Sequence, residues 1–278
     1  MQDFSYHTHT VFSDGCNTVE EMLEQAVKAG YKQIGISDHL IINEFIANKT
    51  VFNLNPKYRQ HKMYLNSFGA ETVSLLQNHV SNIRKSAKKY PIEVLVGFET
   101  DYFSYNGWEE KFKYLKEKLD LDYLLLASHF CVDEKNNIPL SIEYITAYTQ
   151  DKELRHELVR GYFSNIAGGA ESGLFDFAAH LSYIDYSDIC DNNVYWNEYV
   201  KTLMAIKDAG LAIELNTAKN NITAEFMPTK KVLEAARDMG IPLLISDDCH
   251  SREKMKIGYA EAEEYLKELN YINRWKIG

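Results

Sequence analysis

The sequence predicts an α/β protein whose strands form a closed or nearly closed barrel, a (β/α)7 arrangement. Two observations support this prediction. Short apolar runs alternate along the chain with amphipathic segments that have recognisable helix ends, and this order is typical of a parallel sheet. Histidines and carboxylates follow six of the seven apolar runs. Such side chains can meet only if the sheet curls round, because the outermost strands of an open sheet lie far apart.

The first strand is predicted just before Tyr6-His7-Thr8-His9. Residues two apart on a strand project to the same face, so the imidazoles of His7 and His9 can bind one ion. The six later strands are apolar runs that each lead into a polar residue, which indicates burial on both faces. These runs span residues 33–36, 92–98, 123–127, 175–179, 211–215 and 241–245.

Amphipathic segments separate the predicted strands. The first begins with a capping box from Thr18 to Glu21, continues through the apolar Met22 and Leu23, and stops at Gly30. The same patterning recurs over residues 108–119, 194–210 and 228–240. Strand and helix therefore alternate, which favours parallel strands joined by helical crossovers.

Six of the nine histidines and three carboxylates stand where predicted strands end. These residues are His7, His9, Asp14, His39, Glu99, His129, His180, Asp248 and His250. The other three histidines, His61, His79 and His156, lie in segments with helical patterning.

Any one of these side chains alone has an ordinary structural reading, such as a helix cap for Glu99 or a turn residue for Asp14. Taken together, the nine side chains have no ordinary structural reading. Six imidazoles crowded without metal would repel one another when protonated and would bury unpaired polarity when neutral. The sequence therefore predicts a metal site at the carboxyl ends of the strands.

The motifs that carry these residues are His7-x-His9 with Ser13-Asp14-Gly15, Ser37-Asp38-His39, Gly97-Phe98-Glu99, Ser128-His129, Ala179-His180 and Asp248-x-His250. They resemble the polymerase and histidinol phosphatase superfamily, PHP, over nearly the whole chain. The resemblance implies a distorted (β/α)7 barrel with a di- or trinuclear metal site that hydrolyses phosphate esters. The chain length, the long segment from Leu40 to Pro91 and the run Glu99-Thr100-Asp101-Tyr102 are most similar to the stand-alone histidinol-phosphate phosphatases of histidine biosynthesis.

The resemblance also implies how the ligands are shared among the ions. It assigns His7, His9, Glu99 and Asp248 to one ion, Asp14, His39 and His250 to a second, and Glu99, His129 and His180 to a third. Two departures bear on this assignment: some relatives have histidine where Asp14 stands, and Asp247 replaces the usual small residue before the final aspartate. The expected cofactors are two or three divalent ions, and imidazole with carboxylate suits zinc, iron or manganese.

The expected reaction is hydrolysis of L-histidinol phosphate to L-histidinol and phosphate by a metal-bridging hydroxide, with Asp248, His250 and Glu99 as catalytic residues. One alternative is a nucleotide or oligonucleotide phosphoesterase of the same superfamily, and another is a non-catalytic metal-binding module. An amidohydrolase barrel fits poorly, because such barrels usually have eight strands and place lysine or glutamate on the fourth, where this chain has Ser128-His129.

Two residues are predicted to bind the substrate's phosphate. Arg160 lies in a segment that must cross near the mouth of the barrel, and its planar guanidinium suits phosphate better than a point charge does. Arg155 is a second choice, for which a solvated helix residue is the favoured reading; for Arg160 the two readings are balanced. Asn216 ends the strand from which no metal ligand is predicted and can bond either substrate or a ligand. The aromatic-rich stretch 45–68 is a candidate lid.

Composition fits an ordinary single-domain enzyme spanning residues 1–278, with 45% hydrophobic and 25% charged residues. A net charge of −10 argues against a broad nucleic-acid surface and favours a small phosphate ester as the partner. No apolar run is long enough to span a bilayer and no secretory signal is recognised, so a cytoplasmic protein without membrane contacts is expected. The four cysteines form no Cys-x-x-Cys pair, which predicts free thiols. The sequence leaves the oligomeric state open.

Overall fold

The structure is a computed structural model that describes residues 2–44, 64–65, 67–105, 107–136, 138–186, 193–218 and 225–278. Most of the predicted lid, 45–68, lies outside these residues, and so do His61 and Cys190. Within the described part of the chain, short buried strands alternate with amphipathic helices. The α/β class with parallel sheets is therefore confirmed.

Eight strands of the described chain form two parallel sheets, one ordered β1-β2-β5 and the other β12-β11-β10-β7-β6. Two further pairs, β3 with β4 and β8 with β9, lie beside them. The strands are β1 (Phe4–Ser5), β2 (Gln33–Ile36), β3 (Ile41–Ile42), β4 (Tyr64–Leu65), β5 (Glu93–Val96), β6 (Glu99–Asp101), β7 (Leu125–Ala127), β8 (Phe130–Asp133), β9 (Ile138–Ser141), β10 (Phe177–Ala178), β11 (Ala212–Asn216) and β12 (Leu243–Ser246).

Helices follow most of the parallel strands. They are α1 (Val19–Lys28), α2 (Ala70–Ala87), α3 (Trp108–Leu119), the short α4 (Ile145–Tyr148), α5 (Lys152–Glu171), α6 (Trp196–Asp208), α7 (Lys230–Asp238) and α8 (Tyr259–Glu268). The capping box before α1 is confirmed, because the Thr18 hydroxyl accepts from the Glu21 amide while the Glu21 carboxylate accepts from the Thr18 amide. No helix in the described ranges is long and apolar enough to cross a membrane.

The strand predicted over residues 92–98 corresponds to β5, which ends at Val96, and a separate strand that was not predicted, β6, begins at Glu99. β5 pairs with β2, whereas β6 begins at Glu99 and pairs with β7 in the other sheet. Gly97 lies at the break, where an added Cβ would approach the ring of Tyr123 to 2.6 Å. The glycine permits that close approach. This single pass of chain therefore joins the two sheets.

A second backbone contact joins the other edges of the two sheets. The amide of His9 donates to the carbonyl of Cys249 at 2.9 Å, and the amide of Cys249 donates to the carbonyl of His7 at 3.1 Å. These bonds pair the continuation of β1 with the continuation of β12, in parallel. This pairing holds the His7-x-His9 motif beside the Asp248-x-His250 motif.

Two apolar clusters lie on the two faces of the strands. Leu124 and Leu126 belong to the large cluster beneath the helices, whereas Tyr123 and Leu125 belong to a smaller one, as alternation along a strand requires. Trp275 packs on this smaller cluster, with its ring centroid 5.6 Å from that of Phe177. Most members of the smaller cluster, such as Tyr6, Leu125 and Leu244, come shortly before a predicted ligand in the sequence.

Candidate metal centre

The structure brings all nine predicted ligands into one cluster. Every one of them has a ring nitrogen or carboxylate oxygen within 4 Å of another member. The side chains divide into overlapping groups of three or four that are close enough to hold a metal ion. His79 and His156, the other histidines within the described residues, are not part of these groups.

The first group places two nitrogens, Nε2 of His7 and Nε2 of His9, opposite two oxygens, Oε2 of Glu99 and Oδ1 of Asp248. His7, His9 and Glu99 lie close enough together to hold an ion, while His7 and Asp248 form a further such group with His180. The nitrogen–oxygen distances are 3.2 and 3.3 Å from His7 and 3.4 and 3.2 Å from His9. An ion with tetrahedral bonds of about 2.0–2.1 Å separates its ligand atoms by about 3.3–3.4 Å. All four atoms are buried without a hydrogen-bond partner. The group therefore fits a divalent ion.

The second group is centred on Oδ1 of Asp14, which is also buried without a hydrogen-bond partner. It lies 3.1 Å from Nε2 of His250, 3.5 Å from Nε2 of His39 and 3.9 Å from Nδ1 of His9. The resemblance assigned three of these residues together, and the geometry adds His9. The two ring nitrogens of His9 thus face two different groups.

The third group involves Oε1 of Glu99, the oxygen not used in the first group. It lies 3.2 Å from Nε2 of His129 and 2.7 Å from Nε2 of His180. Nδ1 of His39 approaches the other oxygen at 2.7 Å. The residues that lie close enough together to hold an ion here are His39, Glu99 and His129, whereas His180 groups with His7 and Asp248. Glu99 is fully buried and contacts five imidazoles, which suits a carboxylate shared between ions.

Charge interactions within the cluster shift its pKa values strongly. Burial disfavours the charged forms, but the surrounding imidazoles hold the pKa values of Glu99 and Asp248 well below their usual range. Against the same effect of burial, the carboxylates raise the pKa of His7 well above normal and that of His129 to about 10. For His9, burial and the neighbouring His250 and His39 lower the pKa to about 4. The pKa values of the donor set are thus strongly shifted in opposite directions, as is common at functional sites.

Sequence reasoning missed two carboxylates that hydrogen-bond to these ligands or to the residues next to them. Asp101 accepts from Nδ1 of His129 at 2.7 Å and from the amides of His129 and Phe130. Asp38 holds the chain between His9 and Asp14 instead: one of its oxygens accepts from the amide of Thr10 at 2.7 Å and from the hydroxyl of Ser13 at 2.6 Å. Nε2 of His79 lies 2.9 Å from the other oxygen. Asp101 was detectable, because it stands two residues after Glu99 on the same strand and therefore on the same face.

The cluster opens into a cavity of about 140 Å³. Six predicted ligands line it together with four other residues, and apolar or aromatic groups form one wall. The lining residues are Asp14, His39, Ile41, His129, Phe130, Ser141, His180, Tyr183, Asp248 and His250. The space suits a small ligand that has one charged end.

The substrate-binding predictions fare differently. Arg160 does not line the cavity; its side chain is 58% exposed and pairs with Glu198 at 3.6 Å, because α5 turns this face toward α6. The prediction for Arg160 is therefore corrected. Arg155 donates to the carbonyl of Thr149. Asn216 is buried at the cluster, where its amide donates to Oδ2 of Asp248 at 3.3 Å, so it supports a ligand.

Comparison with known protein families gives a direct match. The model of the PHP domain family matches residues 5–218. The chain belongs to the PHP domain family. The matched region of the PHP domain begins at β1 and ends just after β11, so it contains seven of the nine clustered residues. Asp248 and His250 lie beyond it and reach the cluster through the pairing of Thr8 with Cys249.

Individual relatives cover most of this PHP chain. A protein of Deinococcus radiodurans named "Probable histidinol-phosphatase" is 23% identical over 266 residues, or 95% of this chain and 92% of the relative. One of Schizosaccharomyces pombe with the same name is 22% identical over 89% of this chain and 80% of its own length. A similar solved structure is the crystal structure of histidinol phosphate phosphatase from Lactococcus lactis subsp. lactis Il1403, which is complexed with zinc, L-histidinol and phosphate. It matches with a TM-score of 0.68 and 15% sequence identity, and the match covers 98% of this chain and 95% of that one. The shared fold is thus established.

Asp247, the departure noted in the sequence, is held by groups outside the cluster. Its carboxylate accepts from the hydroxyl of Ser5 at 3.1 Å, from the amide of Lys256 and weakly from Tyr31. Burial raises its pKa to about 6, although these hydrogen bonds oppose the shift. The extra carboxylate therefore sits next to a predicted ligand without joining the ligand set.

Asp247→Asn is expected to change how stability depends on pH. The folded-state pKa of about 6 exceeds the ordinary 3.8. The contribution of neutral Asp247 is therefore fully present below about pH 4 and is lost as the pH rises through about 6. Asparagine stays neutral, so the unfolding midpoint of the variant relative to wild type should rise by a few degrees between about pH 5 and pH 7. Thermal melts of the metal-free protein test this, and a difference independent of pH would contradict it.

Proposed function

We propose that this PHP protein is a metal-dependent phosphomonoesterase that hydrolyses L-histidinol phosphate to L-histidinol and phosphate. The observation that carries the proposal is the convergence of nine imidazole and carboxylate side chains, several with unpartnered buried atoms, beside a small cavity. The names of two relatives that cover most of the chain support the substrate. The zinc, L-histidinol and phosphate in a protein of the same fold agree with it.

Two or three divalent ions, of zinc, iron or manganese, are the proposed cofactors. His7, His9, Glu99 and Asp248 would hold one ion, and Asp14, His39 and His250 a second, with His9 in reach. Glu99, His129 and His180 would hold a third. The three carboxylates neutralise only part of the charge that such ions bring, and the remaining positive charge suits a phosphate dianion.

Divalent ions bound there supply Lewis-acid stabilisation of the phosphoryl oxygens and lower the pKa of a water nucleophile. The chain's own residues fix the geometry in which this chemistry occurs. Asn216 holds one oxygen of Asp248, which leaves the other to face His7 and His9. His250, with its Nδ1 2.9 Å from the carbonyl of Asp248, stands at the cavity with its side chain 35% exposed. Asp248, His250 and Glu99 are the proposed catalytic residues.

We further propose that the two sheets form one distorted (β/α)7 barrel, a single domain over residues 1–278, with the metal site at the carboxyl ends of its strands. The backbone bonds between His9 and Cys249 and the divided pass through Gly97 support this, because they connect the sheets along both edges. Eight of the nine clustered residues lie within four residues after the carboxyl end of a parallel strand, and Asp14 lies farther along the segment between β1 and α1. Such ends converge at one mouth of a closed barrel.

The runner-up function is hydrolysis of nucleotides or oligonucleotides. A cavity of about 140 Å³ and a net charge of −10 favour a small ester over a polyanion. No side chain of Lys or Arg lines the described cavity, so a run of several phosphates would find few counter-charges there. A non-catalytic module is disfavoured by the complete donor set.

A panel of phosphate esters tests the proposal. We expect selective turnover of L-histidinol phosphate over mononucleotides, dinucleotides and p-nitrophenyl phosphate, measured as phosphate release at saturating zinc or manganese. His129→Asn should lower kcat/KM by about 10²-fold or more, because it removes a donor from the third group. Arg160→Ala is the control and should stay within about threefold, since that side chain is solvated.

Growth of a histidine auxotroph that lacks this phosphatase gives an independent readout. The parent chain should restore growth and His129→Asn should not. Preferential turnover of dinucleotides would favour the runner-up, and absence of turnover in fully metal-loaded protein would favour the non-catalytic module.

A further inference from the structure

Glu214 lies on β11, the strand from which no ligand was predicted, and its side chain is fully buried next to the cluster. Oε1 lies 2.6 Å from Nδ1 of His7 and also accepts from the hydroxyl of Ser246. Oε2 accepts from the amide of His180 at 2.9 Å and from the side chain of Asn216 at 3.1 Å. Both oxygens are thus engaged, and Glu214 is not a member of the groups that can hold an ion.

The contact with His7 fixes one end of a predicted ligand. A carboxylate beside Nδ1 favours the proton on that nitrogen, which leaves the lone pair of Nε2 free. Nε2 is the atom that faces Glu99 and Asp248 without a hydrogen-bond partner. Glu214 therefore selects the ring orientation and the tautomer in which His7 can bind an ion.

The other oxygen of Glu214 holds two more ligands through their surroundings. His180 has a φ of +24°, a region that non-glycine residues rarely adopt, and its amide is bound to Glu214. Asn216 donates both to Glu214 and to Asp248, whose φ is +46°. One buried carboxylate therefore orients parts of three predicted ligands that come from three different strands.

We propose that Glu214 is a positioning residue that sets the affinity of the first metal group, formed by His7, His9, Glu99 and Asp248. This inference rests on the proposed metal-dependent function but is tested without substrate. Glutamine at this position keeps the shape and one acceptor oxygen. Its amide nitrogen would face either the His7 ring or the His180 amide, both of which need an acceptor.

Metal content of Glu214→Gln in zinc buffers of defined free concentration is the decisive measurement. The variant should bind one ion fewer per chain than wild type at limiting zinc, and its affinity for that ion should be about 10- to 100-fold weaker. Raising the zinc concentration should restore both the missing ion and most of kcat/KM. Asp176→Asn is a matched control: Asp176 accepts from the amide of Leu124 at 2.8 Å at the opposite end of β10, and its loss should leave zinc binding unchanged.

Three results would overturn the proposal. The first is wild-type zinc affinity in Glu214→Gln, and the second is loss of ions from all groups that excess zinc does not restore, which would indicate a general structural role. If Glu214→Gln does not fold, Asn216→Ala decides the matter, because it removes the link from Glu214 to Asp248 and keeps the contacts of Glu214 with His7 and His180. The other bond lost is the one that the Asn216 side chain accepts from the amide of Ala218, outside the cluster. We expect about threefold to tenfold weaker binding of one ion in that variant, and unchanged binding is the third overturning result. Failure of histidinol phosphate as substrate would leave these zinc measurements intact.

Discussion

Replacing Glu99 by glutamine should lower kcat/KM for L-histidinol phosphate by about 10³-fold or more. Both oxygens of Glu99 face imidazoles: Oε2 those of His7, His9 and His39, and Oε1 those of His129 and His180. A glutamine offers one oxygen, no charge and a nitrogen that cannot bind a cation. The first and third groups would both lose a donor. Raising the metal concentration in the assay should therefore not restore the rate of the variant.

The measurement is steady-state phosphate release together with metal content by elemental analysis. Glu93→Gln provides a matched control, because Glu93 lies near the amino end of the same pass of chain and contacts Gln33 at 2.9 Å rather than the cluster. Its rate should remain close to wild type. A Glu99→Gln variant that keeps its full metal complement and more than about a tenth of the wild-type rate would contradict the shared-ligand role.

Stripping the protein of metal with a chelator should abolish turnover, and rebinding zinc at pH 7 should release protons. Carboxylates in the cluster raise the pKa values of His7 and His39 well above normal and that of His129 to about 10, although burial opposes these shifts. Because these shifts favour the protonated rings, we expect the rings to carry protons at pH 7 in the metal-free chain. A metal ion must displace those protons, so apparent zinc affinity should fall as the pH falls.

Calorimetric titrations in two buffers with different ionisation enthalpies count the released protons, and about two to four per chain are expected. The same titration at about pH 6 should give weaker binding than at about pH 8. Wild-type turnover should return when zinc or manganese is added back. Identical heats in both buffers would show that the imidazoles are already neutral before the metal arrives, contrary to the geometry of the cluster.

Much of the candidate centre could be predicted because it follows from the spacing of residues within single strands and helices. His7 and His9 share a face by the alternation of a strand, and the helix predicted over residues 108–119 coincides with α3 because its apolar spacing and ends are unambiguous. Ligands at strand ends follow from the convergence of parallel strands. None of these inferences needs the position of a distant residue.

What could not be predicted depends on tertiary contacts. The break between β5 and β6 is set by the approach of Tyr123 to Gly97, which apolar patterning does not reveal. The hairpin β8–β9 after His129 is an insertion beside the barrel pattern. Glu214 reads as a polar residue within an apolar strand until the ring of His7 is placed next to it. Arg160 was assigned by chemistry alone, and the orientation of α5 takes it away from the cavity.

The meeting of Thr8 with Cys249 has a consequence for biosynthesis. Two donors of the first metal group, His7 and His9, are translated long before Asp248, which lies more than 200 residues later in the sequence. A nascent chain therefore carries these imidazoles without the carboxylate of Asp248 until that residue has been made and β1 and β12 come together. Cation binding by all four donors of this group therefore has to follow the formation of that contact.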